Sequence, residues 1–213
     1  MNIEAVIFDW DGVLNDSGHA LYEAYMVVSE KLGLPKITFP RFRKLWESDY
    51  RKFEAKIGIT EDKRHISEKV WFESYTKLME GVSLFPGAKD FLNEIKNNHK
   101  IGLVTVGSIK RITKEINRYR LENVFDSIIT EEDTKKLKPD PEALFVCANK
   151  LKVNPKDCVY VGDSRGDILA ARNADMISVA VTWGYHDISI LEEAGPEHVA
   201  KNFNELYDII KGL

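Results

Sequence analysis

Four aspartates in this chain stand in two closely spaced pairs. Asp9 and Asp11 flank Trp10 and precede Gly12, and Asp163 and Asp167 lie four apart in GDSRGD. In extended chain, residues two apart point the same way, so Asp9 and Asp11 share a face. Carboxylates held that close repel unless a cation joins them or one takes a proton. An all-oxygen set suits a hard divalent cation, above all Mg2+, which keeps several waters and pairs with a substrate phosphate. Two further residues fit such a site. Thr105 offers a hydroxyl just before the amides of Val106 and Gly107, where a helix opens, and that is an anion cradle. Lys138, in KKLKPDPE, brings an ammonium on a loop that leads into a helix. Taken singly, each has an ordinary reading: acidic residues end strands, threonine favours strands, and a lysine in a charged loop is solvated.

Whether these residues meet depends on the elements that carry them. Short apolar runs appear at 5–8, 101–108, 126–130, 157–164 and 177–184, with a weaker one at 198–200. Unbroken runs of this length mark strands buried on both faces. Helical patterns lie between them at 88–97, 109–118, 141–151, 167–173 and 204–211. Strand alternating with helix predicts an α/β, doubly wound, Rossmann-like parallel sheet. Ligands of such sheets bind beyond the carboxyl ends of the strands, where all the residues above except Lys138 stand. One interval breaks the rhythm. Residues 15–82 hold no strand signal, and Phe42, Leu45, Trp46, Tyr50 and Phe53 recur at helical spacing. A second helix is predicted over 63–80, and Gly81 and Pro86-Gly87 mark the return. The chain therefore divides into an α/β core, 1–14 and 83–213, and an inserted all-helical segment, 15–82.

Composition bounds the rest. The 213 residues are 44% hydrophobic and 30% charged, with a net charge of −4. That is the balance of a globular protein able to bury its own core, and it lacks the basic footprint of a nucleic-acid binder. Cys147 and Cys158 support neither a disulfide framework nor a thiolate zinc site, and are expected to be buried thiols. No leader and no run of membrane-spanning length is read, so the expectation is a cytoplasmic protein, a monomer or homodimer, with no membrane partner.

In order along the chain, DWDGVLNDS, LVTVGS, KLKPDPE and VGDSRGDILAARNA resemble the four motifs of the haloacid dehalogenase-like hydrolase superfamily. The helical insertion after the first motif looks like that family's type-1 cap, and GDSRGD with VTWGY resembles its phosphoglycolate phosphatase-like branch. The resemblance implies a Mg2+-dependent phosphatase acting on a small phosphate ester such as 2-phosphoglycolate. By similarity Asp9 is the nucleophile, forming an aspartyl-phosphate, and Asp11 the general acid and then base, whose backbone carbonyl also binds the metal. Thr105, Val106, Gly107 and Lys138 would bind the phosphoryl group. Asp9 and Asp163 would ligate Mg2+ through their carboxylates, with Asp167 behind them orienting a metal-bound water or Lys138. Two positions depart from the usual pattern: Val13 where threonine is common, and Val106 where asparagine often follows the threonine.

Other readings compete. A sugar-phosphate mutase would use the same aspartyl-phosphate, and a non-enzymatic regulator would only bind phosphate or Mg2+. Gly162 to Gly166 also satisfies G-x-S-x-G, which would make Ser164 a nucleophile with Asp187 and His198 as partners. His19 and His186 are expected to be solvated or locally hydrogen-bonded, and Trp46, Trp71 and Tyr75 to be core of the insertion. Residues 36–56 carry seven basic side chains against three acidic ones (Lys36, Arg41, Arg43, Lys44, Arg51, Lys52 and Lys56 against Glu47, Asp49 and Glu54). They form either a solvated face or a cationic lid for a second anionic group of a substrate.

Overall fold

The apolar runs form six strands: β1 (Ala5–Phe8), β2 (Lys100–Val104), β3 (Ser127–Ile129), β4 (Cys158–Gly162), β5 (Ile177–Val181) and β6 (His198–Ala200). In the structure, a computed structural model that describes residues 3–213, they make one sheet in the order β3-β2-β1-β4-β5-β6. Every neighbouring pair is parallel. The order reverses beside β1, because the chain runs outward through β2 and β3 and then returns to β4 on the other side, which defines the doubly wound class and its ligand crevice. Phe8 is level with Leu103 of β2 and Val161 of β4. The residues that follow these three strands therefore emerge side by side.

Among the described residues, ten α-helices accompany the sheet. α1 (Gly18–Lys31), α2 (Phe39–Leu45), α3 (Tyr50–Lys56), α4 (Arg64–Leu78) and α5 (Ala88–Ile95) lie between β1 and β2. The others are α6 (Ile109–Tyr119), α7 (Glu142–Leu151), α8 (Arg165–Asn173), α9 (Ile188–Ala194) and α10 (Phe203–Gly212). Period-two alternation sorts the core. Val6 and Phe8 join Leu92 of α5, Ile112 of α6 and Leu206 of α10 in one cluster. Ala5 and Ile7 join Leu144 and Cys147 of α7 and Ala170 of α8 in the other. With both faces covered, strands must be apolar throughout, which is why the runs carry no alternation. Cys147 and Cys158 are buried free thiols, pushed up to about 12 by burial.

The strands are shorter than the apolar runs, since 105–108 and 163–164 are already loop. α8 begins earlier than the pattern suggested. Ser164 caps it, its hydroxyl accepting from Asp167 N while Asp167 reaches back to the Ser164 amide. This reciprocal capping box satisfies two backbone donors that would otherwise be orphaned.

Residues 15–82 hold four α-helices and no strand. They have their own cluster, in which Tyr25 and Val28 of α1 pack with Phe42 of α2, Phe53 of α3 and Tyr75 of α4. The aromatic stripe from Phe42 to Phe53 is not one helix. The backbone turns extended at Trp46, φ −54° and ψ 139°, and α3 restarts behind its cap, Asp49, which accepts from Arg51 N at 3.2 Å. Helical spacing survives in the sequence because the Trp46 ring still reaches Phe42 and Phe53, at 5.7 and 5.1 Å between centroids. Core burial outranks backbone continuity here.

The α2–α3 joint is latched to the loops after β4 and β5. Ser48 Oγ lies 3.0 Å from Ser164 Oγ. His186 Nε2 is 3.0 Å from the Trp46 carbonyl, and its Nδ1 accepts from Arg165 N at 3.0 Å. Arg43 donates to the carbonyls of Gly184, Tyr185 and His186 and pairs with Asp187 at 2.8 Å.

Replacing the buried Phe53 by alanine is expected to cost about 3–5 kcal/mol, read as a lower denaturant midpoint with an unchanged slope. The His186 latch needs a neutral imidazole, since Nδ1 is an acceptor. Burial, chiefly, lowers its pKa from 6.5. Its stabilisation is thus complete above about pH 6.5 and is lost as pH falls toward the lower folded-state value. Melting curves of His186→Gln are expected to depend less steeply on pH below 6.5 than those of the parent.

Candidate active site

The carboxyl ends of β1 and β4, with the first turn of α8, bring together three of the four aspartates. Ligand atoms of Asp9, Asp163 and Asp167 all lie within 4.8 Å of one another, and all three residues are buried. Lys138, on the loop before α7, enters between them. Its Nζ donates to Asp167 Oδ1 at 2.6 Å and pairs with Asp9 Oδ2 at 2.9 Å. It also meets the Tyr160 hydroxyl at 3.2 Å.

Each carboxylate sits in a different environment. Asp167 is saturated: Oδ1 takes Lys138 and the Tyr160 hydroxyl, and Oδ2 takes the amide and hydroxyl of Ser164. Burial would raise its carboxyl, but Lys138 and these donors hold it below the usual range. Asp9 keeps Oδ1 on the amide of Trp10 at 2.8 Å. Burial pushes Asp9 up to about 7, Lys138 pulling down and Asp167 pushing up again. Asp163 accepts from the Tyr185 amide on Oδ2 at 2.5 Å, and its buried Oδ1 has no partner. Burial, then Asp167 and Asp9, raise its carboxyl well above the ordinary value.

The neighbourhood around Asp163 is tight. Gly12, at φ +82°, and Gly184 both lie where a Cβ would overlap its carboxylate. Glycine at position 12 is thus required twice, by its left-handed backbone and by the close approach.

Three buried carboxylates against one ammonium leave a deficit of positive charge, and buried charges are tolerated only when compensated. The orphaned Asp163 Oδ1 is the second sign of a missing partner. Both fit a hard divalent cation with oxygen ligands.

Asp11 is placed apart from this set. Arg111 of α6 grips it with Nη2 to Oδ2 at 2.5 Å and Nη1 to Oδ1 at 3.1 Å. Ser17 donates to Oδ1 at 2.8 Å, and the Tyr75 hydroxyl of α4 reaches it at 3.4 Å. Burial would raise the Asp11 carboxyl, but Arg111 leads the donors that hold it low. Tyr75 thus belongs to the core of the insertion, as predicted, yet its hydroxyl also faces the site. Behind Arg111, Glu115 accepts from the Trp10 indole at 2.6 Å.

Thr105 follows β2 two residues past Leu103, the register partner of Phe8. Its hydroxyl accepts from Gly107 N at 3.0 Å, so the loop is already curled. Ser108 caps α6 immediately afterwards. Val106 is exposed.

Several other expectations resolve. Ser164 is a helix cap bonded to Asp167 and Ser48, with no histidine among its partners. Asp187 is taken by Arg43, so the serine-hydrolase triad is not assembled. His19 is exposed and stacks on Phe39 at 4.1 Å. The basic run of 36–56 is largely spoken for: Lys36 pairs with Glu30, Arg43 with Asp187, Lys52 with Asp49 and Lys56 with Glu47. Arg111, Tyr160, Ser17 and Tyr185 went unread in the sequence. For Arg111 the available signal was its place on the first turn after the Thr105 loop, four residues before Glu115.

Doubly wound topology with a crevice of carboxylates, one buried lysine and a curled hydroxyl-amide loop defines an α/β protein whose site suits a cation and an anionic group. Comparison with known proteins agrees. The haloacid dehalogenase-like hydrolase family model matches residues 6–181, and the chain belongs to that family. It is 30% identical over 230 residues to a phosphoglycolate phosphatase of Salmonella typhi, covering 96% of this chain and 91% of the relative. It is 29% identical over 216 residues to a phosphorylated carbohydrates phosphatase of Thermotoga maritima, covering 98% and 99%. A hydrolase from Pseudomonas syringae of solved structure superposes with a TM-score of 0.86 at 27% identity, over 99% of both chains.

Lys138→Met should leave the carboxylates of Asp9 and Asp167 facing each other unpaired. Removing one partner of a buried pair costs about 3–5 kcal/mol, measured by denaturation at pH 7. In the variant a carboxylate can relieve the repulsion by binding a proton that the unfolded chain does not hold, so the deficit should shrink as pH falls.

Proposed function

We propose that the protein is a Mg2+-dependent phosphatase of small phosphorylated metabolites, working through an aspartyl-phosphate on Asp9. The observation that carries this reading is the single ammonium of Lys138, buried between Asp9 and Asp167. It holds the Asp9 carboxylate in place and puts positive charge where a phosphoryl group would arrive. Family membership and the phosphatase relatives support it. Residues 15–82 act as a cap over a core of 1–14 and 83–213, and a carboxylated ester such as 2-phosphoglycolate is the type substrate.

Asp9 attacks phosphorus in line, and the ester oxygen leaves with a proton from Asp11. Water then attacks the aspartyl-phosphate, Asp11 takes its proton, and phosphate leaves with Asp9 restored. Thr105 and the amides of Val106 and Gly107 hold the phosphoryl oxygens, while Lys138 neutralises their charge. Asp9, Asp163 and the backbone carbonyl of Asp11 would hold Mg2+, which when bound supplies Lewis-acid neutralisation of the phosphoryl group. Asp167 is a positioning residue that fixes Lys138. Asp11 can meet the leaving oxygen only after it parts from Arg111, and once that ion pair no longer holds it ionised the buried carboxylate takes up from water the proton it then donates.

Phosphate release from a panel of phosphomonoesters tests the reading. Turnover should need Mg2+, stop with EDTA, and fall at least about 1,000-fold in Asp9→Asn. Asp11→Asn should lose about 100–10,000-fold while phosphorylated protein builds up, visible by intact-mass measurement. Near-normal turnover in Asp9→Asn would sink the mechanism. An isomerised phosphosugar with no free phosphate would instead indicate a mutase.

A further inference from the structure

Arg111 is a buried cation that the phosphoryl chemistry above does not use. It lies on the first turn of α6, and a Cβ at Gly107 would overlap its guanidinium, so it rests against the loop that follows Thr105. The ring of Tyr75 stands 5.7 Å from the guanidinium carbon on the side of the insertion. The side chain retains 20% exposure, enough for a small ligand to reach one edge.

Its donors divide into two sets. Nη1 reaches both oxygens of Glu115 at 3.3 Å, and Glu115 is itself fixed by the Trp10 indole at 2.6 Å. That set orients the guanidinium from behind and does not depend on Asp11. The other set, Nη2 with one N–H of Nη1, forms a two-pronged clasp on the Asp11 carboxylate. When Asp11 turns toward a leaving oxygen, the clasp is emptied. The two prongs then lack an acceptor, with only Glu115 left to offset the guanidinium, and charged donors left unpaired in a mostly buried site are disfavoured. The occupant lost is a carboxylate, held in the bidentate geometry that the planar guanidinium fits best.

We propose that Arg111 is the subsite for a carboxylate carried by the substrate, and that this carboxylate replaces Asp11 in the clasp and so frees the acid to face the ester. The inference rests on the phosphatase reading and deepens it. The substrate is a phosphomonoester whose alcohol bears a carboxylate a short spacer from the ester oxygen. An ester without one must pull Asp11 off Arg111 with nothing to take its place. The cation that reads the second anion then comes from the core helix after the phosphate loop, rather than from the basic run at 36–56, where most charges are paired.

Calorimetric titration of the full chain with Mg2+ tests this without turnover. The probes are 3-phosphonopropanoate and propylphosphonate, of like shape with and without the carboxylate. The parent protein is expected to bind the first about 10–100-fold more tightly, the value of a charged hydrogen-bonded pair. In Arg111→Gln the preference should collapse to within about 3-fold, and in Arg111→Lys an intermediate preference should remain, since charge is kept and the fork is lost. Equal binding of the two probes by the parent overturns the inference without needing any variant, and so does an undiminished preference in Arg111→Gln. Phosphate release by the parent from a panel of phosphomonoesters with and without a carboxylate, measured separately, decides the phosphatase reading. Release with equal probe binding leaves that reading standing and the subsite refuted. No Mg2+-dependent release from any ester overturns both.

Discussion

Everything at this site follows from the cost of hiding negative charge. Asp9, Asp163 and Asp167 converge with one ammonium among them. Three anions cannot share a low-dielectric pocket with one cation unless something else arrives or a proton is taken up. The fold answers part of this by spending the whole of Asp167 on Lys138, Tyr160 and Ser164. Asp9 and Asp163 remain under-compensated, a state that a hard cation with oxygen ligands would relieve. The sheet sets this up cheaply, because parallel strands in register release their next residues at one level.

Asp11 shows the opposite arrangement. It is over-compensated, with a guanidinium, a serine hydroxyl and a tyrosine hydroxyl around it. A group so held is quiet. Tyr75 comes from the helical insertion and Arg111 from the core, so the contact that quiets Asp11 also joins the two parts of the chain. The latches at Ser48 and His186 join them again on the far side of the crevice, beyond β4 and β5.

The site residues that could be read in the sequence were those a single strand or loop delivers. Asp9, Asp11, Thr105 and Asp163 stand just past apolar runs, and a strand end is a position in space as well as in sequence. Lys138 could be read only from its place in an ordered set of motifs, because the loop carrying it has no periodicity to announce a burial. Arg111 and Tyr160 went unread, since each looks like part of its element: an arginine on a polar helix face, a tyrosine inside a strand. Nearby Glu115 gave Arg111 only a faint signal, and the contacts with Asp11 and Lys138 span 100 and 22 residues. The break between α2 and α3 hid for a related reason. Side chains kept their helical spacing because they serve one cluster, while the backbone between them did not.

Asp167 has a consequence for how this protein can change over evolutionary time. One of its oxygens aims Lys138 and the other closes the capping box of α8. In many enzymes the residues that fold a scaffold and those that run its chemistry are separate, and substitutions trade one quality against the other. On the reading proposed above, they are fused in one side chain. A change at this position that loosens the lysine also unpicks the helix start, so a less active intermediate would be less stable as well. On that reading, innovation is pushed away from this corner of the crevice, toward positions such as Arg111 and the facing surface of the helical insertion, where specificity could drift with Asp167 and Lys138 left fixed.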